Sequence, residues 1–466
     1  MSRKARVALV VVGVLVVGGG AAWGRQAYLG RCGAGSSLTG PAELAPRLVP
    51  IADARITDQL TQDLVAAADG LGAPFGDLVA VSWPEADAGL GAGPDAVLAA
   101  GPGIVLADGG GLLGSSFDAT LTMVELPGGE PRWERRLSGY GLGGGTIGDL
   151  FVGTGTPDDE APVVIAYALE DGRQVSCTRL GPDRETSYDP PFGTARLPDD
   201  DVVVMHQVDV DEDHTGLSLV RVDPATGEQA WSAEVATPAY VTDLHVLDDV
   251  VLQSTFTDEE DFPTALAMRA SRDDAAASVV AYGTDGGAAR WSLDEGDASA
   301  LTRVAGVDPD AGVVVVTTAR LVTGADGEQD VRRTFSALDV AGEVVWTRDA
   351  PTTGNGRAEV WDGALVQWNY GEEGVVRAWS TADGTDLWQT GPDDDGFHAR
   401  DLDEARRVGD VWLVSEGAGM RVFDPLVGPG VLYPLPTPVW DVTVADEHLV
   451  LDSAGAVLVF ERADVD

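Results

Sequence analysis

Lysine is almost missing. Lys4 is the only one in 466 residues, and beyond residue 31 arginine supplies all the positive charge. Thirty Lys and Arg stand against 76 Asp and Glu, a formal net charge of -46. Such a surface repels phosphate backbones and anionic lipid, which argues against nucleic acid as a partner. Most of the charge reads as solvated surface. Cysteine is equally scarce: Cys32 and Cys177 are too few for a thiolate zinc site and allow at most one disulfide. The five histidines, His206, His214, His245, His398 and His448, are scattered without a pair at metal spacing. No G-x-S-x-G, H-E-x-x-H or P-loop occurs. GYGLGG (139–144) has the letters of a dinucleotide loop, but TIGDLFVG follows it and reads as a strand. No helix N-terminus is then at hand for a pyrophosphate. In DVDEDHTG (209–216), Asp209, Asp211 and Asp213 have the spacing of a calcium loop. His214 and Val220 stand where that loop needs Gly and Glu, so a solvated connection is expected.

Long apolar runs are absent but for one. VALVVVGVLVVGGGAAW (7–23) follows Arg3, Lys4 and Arg6, and no acid precedes residue 43. Residues 1–6 read as a cytoplasmic basic end and 7–23 as a membrane anchor or a signal segment. A run of about 17 residues favours an anchor that is kept. Cleavage after Ala22 is the alternative and would give a secreted protein. Either way the remainder lies outside the cytoplasm, where Cys32 and Cys177 can pair; two independent thiols are the alternative. Residues 24–75 read as a juxtamembrane stalk. Pro41, Pro46 and Pro50 break its start, and Ile56, Leu60 and Leu64 at i, i+4 spacing predict a short helix across 53–69.

Past residue 75 the pattern is short β-type runs separated by Gly, Asp and Pro turns. One unit recurs. LVRVDPATGEQAW ends at Trp231, LTMVELPGGEPRW at Trp133, ASVVAYGTDGGAARW at Trp291, TFSALDVAGEVVW at Trp346 and VVRAWSTADGTDLW at Trp388. Two weaker copies put Cys177 and Leu432 in the slot of the tryptophan. Successive slots are 42 to 60 residues apart. An all-β repeat of this period predicts a propeller. Gly227, Gly287 and Gly384 suit turns that need positive φ. A Trp buries about 150–250 Å², enough to fill a seam between blades, and its N–H would need a carbonyl there. The end of the chain offers three strands, VWDVTV (439–444), HLVLD (448–452) and AVLVFER (456–462), with no fourth. DLVAVSW (77–83) can complete that blade. The expected architecture is an all-β, eight-bladed propeller of four-stranded antiparallel blades over 76–466, with seven blades as the alternative.

The A-x-D-x-x-T-G-x-x-x-W pattern resembles the repeat of the PQQ-binding-like β-propellers, the quinoprotein alcohol dehydrogenase-like superfamily. Asp223, Thr226, Gly227 and Trp231 fit it best; Ala337, Asp339, Gly342 and Trp346, and Ala378, Thr381, Gly384 and Trp388, fit more loosely. The resemblance spans roughly residues 77–462. It implies one of two things: a dehydrogenase using PQQ with Ca²⁺ held by Glu, Asn and Asp, or a non-enzymatic scaffold of the BamB-like kind. The enzymes' adjacent-cysteine disulfide is absent, and Asn355 and Asn369 are the only asparagines. Neither PQQ nor Ca²⁺ is therefore expected, and no catalytic or metal-binding residue is assigned. The reading is a membrane-anchored, extracytoplasmic scaffold for an unknown protein or envelope component. Trp361, Trp368, Tyr370 and Trp379 lie outside the repeat slot. They read as blade-core residues or, alternatively, as an aromatic patch for a peptide or sugar.

Overall fold

The computed structural model describes residues 37–463 apart from 42–43, 45–47, 53, 55–58, 69–70, 83–95, 102, 109–117, 139–142, 156–161, 181–192, 210–214, 236–242, 255–276, 324–328, 351–355, 370–374, 391–401, 403–404, 409–410, 416–418, 437–438 and 454–455. The apolar run at 7–23 and Cys32 lie outside the described residues, and no described helix is long and apolar enough to cross a membrane.

Alternating apolar strands joined by tight turns form eight antiparallel sheets built on four strands each, seven of them meanders in chain order. Blade 1 spans 96–138, blade 2 143–179, blade 3 193–235, blade 4 243–293, blade 5 300–349, blade 6 356–389 and blade 7 406–434. Blade 8 is composite. Val439–Ala445, His448–Ser453 and Ala456–Arg462 supply three strands, and Phe75–Ser82 adds the outermost one antiparallel to the last of them. First strands lie against each other between blades 1 and 2, from blade 3 through blade 6, between 7 and 8, and between 8 and 1, while apolar cores join blade 2 to 3 and blade 6 to 7, so the ring closes through both ends of the chain. The eight-blade expectation and the closing strand both hold.

Each sheet has two faces to bury, and a neighbouring blade covers each. In blade 6, Ala364 and Val366 pack with Val414 and Phe423 of blade 7, while Leu365 packs with Val315 and Phe335 of blade 5. The fully apolar run Val313–Val316 is buried because both of its faces meet blades.

The repeat slot is one register position. Trp133, Cys177, Trp231, Trp291, Trp346, Trp388 and Leu432 on the outer strands face Met123, Ile165, Arg221, Ala281, Ala337, Ala378 and Arg421. Every slot indole donates its Nε1–H to a backbone carbonyl of the next blade. Trp133 reaches Leu169 (2.8 Å), Trp231 reaches Thr284 (2.7 Å), Trp291 reaches Val340 (3.0 Å), Trp346 reaches Thr381 (2.7 Å) and Trp388 reaches Pro425 (2.8 Å). The same turn of the next blade presents a glycine to the ring. Gly287 has φ +67, and a Cβ there would stand 2.7 Å from Trp231. The residue is glycine twice over, for the turn and for the indole that lies on it.

In blades 3, 5 and 7 the turn preceding the slot is built by its first residue, an aspartate. In blade 3, Asp223 accepts the amides of Ala225 (2.8 Å) and Thr226 (3.3 Å) and the hydroxyl of Thr226 (2.7 Å). Gly227, at φ +77, returns its amide to the Asp223 carbonyl at 2.7 Å. This is an Asx-type turn closed by a left-handed residue.

The segment expected as a stalk is instead built into the ring over its described residues. Ser37–Thr39 adds a fifth strand to the outer edge of blade 1, and Leu48–Pro50 adds one to the outer edge of blade 8. The helix α1 (Gln59–Ala68) buries Leu64 in the cluster holding Phe75, Leu435 and Phe460. Its apolar side has a core to join, so it does not stand off. Where Leu432 was expected to fill the seam of blades 7 and 8, that side chain is exposed. Tyr433 takes over, donating its hydroxyl to the Ala73 carbonyl at 3.3 Å, with its ring end against Gly72.

Trp133 is fully buried under the added strand of blade 1, whereas Trp231 is only half-buried. Trp133→Ala is expected to cost about 3–5 kcal/mol in urea titrations, and Trp231→Ala about 2 kcal/mol. Tyr433→Phe, which removes one hydrogen bond at a part-buried seam, is expected to cost about 1 kcal/mol. Equal losses at Trp133 and Trp231 would contradict the burial order.

Candidate binding surfaces

Trp361, Trp368 and Trp379 are all buried. Trp361 stacks on Trp412 with ring centroids 4.9 Å apart, lies 5.6 Å from Trp368, and meets Phe423 edge-on. Trp379 packs on Phe335 beneath the Arg348 guanidinium and donates its N–H to Asp386 at 2.7 Å. These rings fill the seams on both sides of blade 6. The aromatic-patch alternative therefore fails for these three, because no open ring face is left to stack on a sugar or peptide. Tyr370 lies outside the described residues.

Cys177 takes the slot of the missing indole between blades 2 and 3 and is disulfide-bonded. Polar contacts replace the stacked ring there. Ser176 donates to the Pro224 carbonyl (2.5 Å), Thr178 to that of Gly227 (2.8 Å) and the Gln229 amide to that of Arg179 (2.7 Å). The sequence holds one other cysteine, Cys32. Peptide mapping without reductant is expected to yield a single Cys32–Cys177 linked peptide; linkage to another chain through either cysteine would contradict it.

The strand order sorts the connections onto two ends of the propeller. Turns between first and second strands, and between third and fourth, share one end. They are short and rich in aspartate: Asp248, Asp362 and Asp446 hold positive φ in them, and Gly363 follows at φ +84. An Asp-Gly pair with two positive φ values is the two-residue hairpin turn that strand twist favours. The strand ends that lead from second to third strands, and from one blade to the next, lie at the other end.

In the short turns, Asp223, Asp339, Asp383 and Asp424 accept backbone amides of their own turns. The Thr226 hydroxyl, aided by the amides of Ala225 and Thr226, holds Asp223 below the usual carboxylate range despite partial burial. The Thr385 amide does the same for Asp383; at the other end, in the link between blades 4 and 5, the Ser299 hydroxyl lowers Asp297. Arg132 lowers Glu125, to which it is hydrogen-bonded at 3.1 Å. Among the described residues no three His, Cys, Asp or Glu side chains converge as metal ligands would.

A group whose folded pKa lies below its unfolded value stabilises the fold above the unfolded pKa, and that contribution is lost as pH falls through the folded one. Melting temperature is therefore expected to drop below about pH 4, where unfolded carboxylates titrate. The gap between wild type and Asp223→Ala should narrow over the same range. A gap that stays constant down to pH 2 would show that the lowered carboxylate does not act there.

The described surface most unlike the rest is the outer rim of blades 5–7. One position before the slot, blades 1 and 4 carry Arg132 and Arg290, while blades 5, 6 and 7 carry exposed Val345, Leu387 and Val431. Blade 7 goes furthest: Leu426 is 50% exposed, Val427 74%, Val431 58% and Leu432 41%. Reading the sequence as a weak repeat copy passed over this patch. The signal was in GPGVLYP itself, an outer strand with no charge.

The sequence profile of a family described as outer membrane protein assembly factor BamB matches residues 69–269, which take in the closing strand of blade 8, all of blades 1–3 and part of blade 4. The repeat is thus PQQ-like. No curated protein matches the chain. Among solved structures, BamB from Moraxella catarrhalis is 16% identical, covering 68% of this chain and 96% of its own, with a TM-score of 0.34. Saccharomyces cerevisiae Sqt1 is 11% identical over 81% of this chain and 97% of its own, at 0.46. The quinohemoprotein alcohol dehydrogenase from Comamonas testosteroni is 10% identical over 80% and 76%, at 0.43. Likenesses this distant do not reach function.

Proposed function

We propose that this protein is a membrane-anchored propeller outside the cytoplasm that holds a partner protein or envelope component and performs no catalysis of its own. The observation that carries this reading is the way the ring uses its rim. Two of its outer edges already hold short extended segments, Ser37–Thr39 on blade 1 and Leu48–Pro50 on blade 8. A rim that takes polypeptide strands in cis offers the same chemistry to a partner. The profile match to a family described as an assembly factor supports it. The N-terminal end supports the anchor: Arg3, Lys4 and Arg6 precede the apolar run at 7–23, the order that keeps a basic end in the cytoplasm.

Chemical crosslinking in intact membranes, followed by purification of the full-length chain, is expected to recover one partner in stable proportion. The chain itself should stay in the membrane pellet at alkaline pH. Titration with PQQ and Ca²⁺ is expected to give no saturable absorbance change. Ca²⁺-dependent saturation accompanied by dye-linked alcohol oxidation would overturn the scaffold reading.

A further inference from the structure

Sheet edges are hazardous, and proteins blunt them with charge, proline, bulges or a covering segment. The eight outer strands show how this ring does it. Those of blades 1 and 8 are covered by added strands. Those of blades 2 to 6 carry charge: Arg179, Glu234, Arg290, the pair Arg348 and Asp349, and Asp386. Among the described residues the outer strand of blade 7, Gly428–Pro434, carries no charge and no added strand, and its prolines stand near its two ends, Pro429 and Pro434, leaving the middle open. Its exposed side chains are Val431 and Leu432, and Leu426 and Val427 extend the apolar surface into the preceding turn. Pro429 and Pro434 lack amide hydrogens, so the open stretch between them is Gly430 to Tyr433. That length suits a strand as short as the two already added at blades 1 and 8.

We propose that the outer edge of blade 7 receives an extended segment of a partner polypeptide as a fifth strand. The segment would set its apolar side chains on the face of Val431, its polar ones on the face of Leu432, and carry basic residues on its flanks. Backbone hydrogen bonds supply the pairing, and the apolar side chains fix its register. Charge selects the occupant. A second copy would bring together two chains of net charge -46, which repel. This chain's own basic and apolar N-terminal end is committed to the membrane under the proposed function, on which this inference rests. A basic-flanked partner strand meets neither obstacle.

The test uses the full-length chain in detergent and a fluorescent probe peptide, Lys-Lys-Val-Thr-Val-Thr-Val-Lys-Lys. Anisotropy is expected to give saturable binding with a Kd of about 100 µM or tighter. Val431→Lys, which installs the missing charge on an exposed position, should weaken binding about tenfold or more with an unchanged melting temperature. Ala230→Lys, at the equivalent position of blade 3, should leave binding as it was. A probe N-methylated at alternate residues, or flanked by Glu in place of Lys, should also bind about tenfold more weakly or worse. Absence of binding at 1 mM probe, equal binding to Val431→Lys, or equal binding of the N-methylated probe would each overturn the proposal. So would a photo-crosslinker at position 431 that joins residues 1–36 of the same chain or a second copy. If these fail while membrane crosslinking still recovers a stable partner, the scaffold reading stands on another surface.

Discussion

An indole ring laid on a glycine, with its N–H aimed at a carbonyl of the same turn, sets the spacing between blades. The contact is polar and apolar at once. The ring removes a large area from water, and the hydrogen bond fixes which turn it meets. Gly287 shows how tightly the parts are matched: a methyl group there would stand 2.7 Å from Trp231. Because the carbonyl and the glycine belong to one short turn, the geometry of the Asx turn and the position of the next blade become a single constraint. Each blade then depends on its neighbour, and stability approaches a sum of nearest-neighbour seams, as in other repeat architectures.

Three seams depart from this pattern, and each departure brings in the N-terminal part of the chain or a disulfide. At blades 8 and 1, Leu48 of an added strand presses on Gly129. At blades 7 and 8, Tyr433 bonds to Ala73. At blades 2 and 3, the bonded Cys177 occupies the slot. A composite blade has no turn between its third and fourth strands, so it cannot present the usual glycine and carbonyl. The residues that precede the closing strand do that work instead. Joining the two ends of the chain therefore takes more than one closing strand, and residues 37–82 are part of the fold.

Much of this was legible in the sequence because the repeat is periodic. Five tryptophans at one offset disclosed the unit, and the shortage of a fourth strand after Val439 pointed back to Asp77–Trp83. What could not be read locally depended on neighbours. Trp361 and Trp379 look alike as candidates for stacking on a ligand, and only the packing of blades 5, 6 and 7 shows them enclosed. The segment from Ser37 to Pro50, broken by prolines, reads as a stalk because strands of three residues carry no periodic signal. The turn aspartates resemble loose cation ligands in sequence. In the fold, Asp223, Asp339 and Asp424 of the Asx turns accept their own backbone amides instead.

The charge and the edges belong to one argument. A chain of net charge -46 is kept apart from copies of itself at long range, within the reach that salt allows. That repulsion relaxes the need to guard every sheet edge against self-pairing, yet blades 2 to 6 still carry charge on their outer strands. Among the described outer strands, that of blade 7 alone has neither a charge nor an added strand. Under the strand-binding proposal, an edge left apolar amid strong like-charge repulsion would discriminate by charge, refusing another copy and admitting a strand of opposite sign. Short-range pairing and long-range electrostatics then select the same class of partner, one extended and basic.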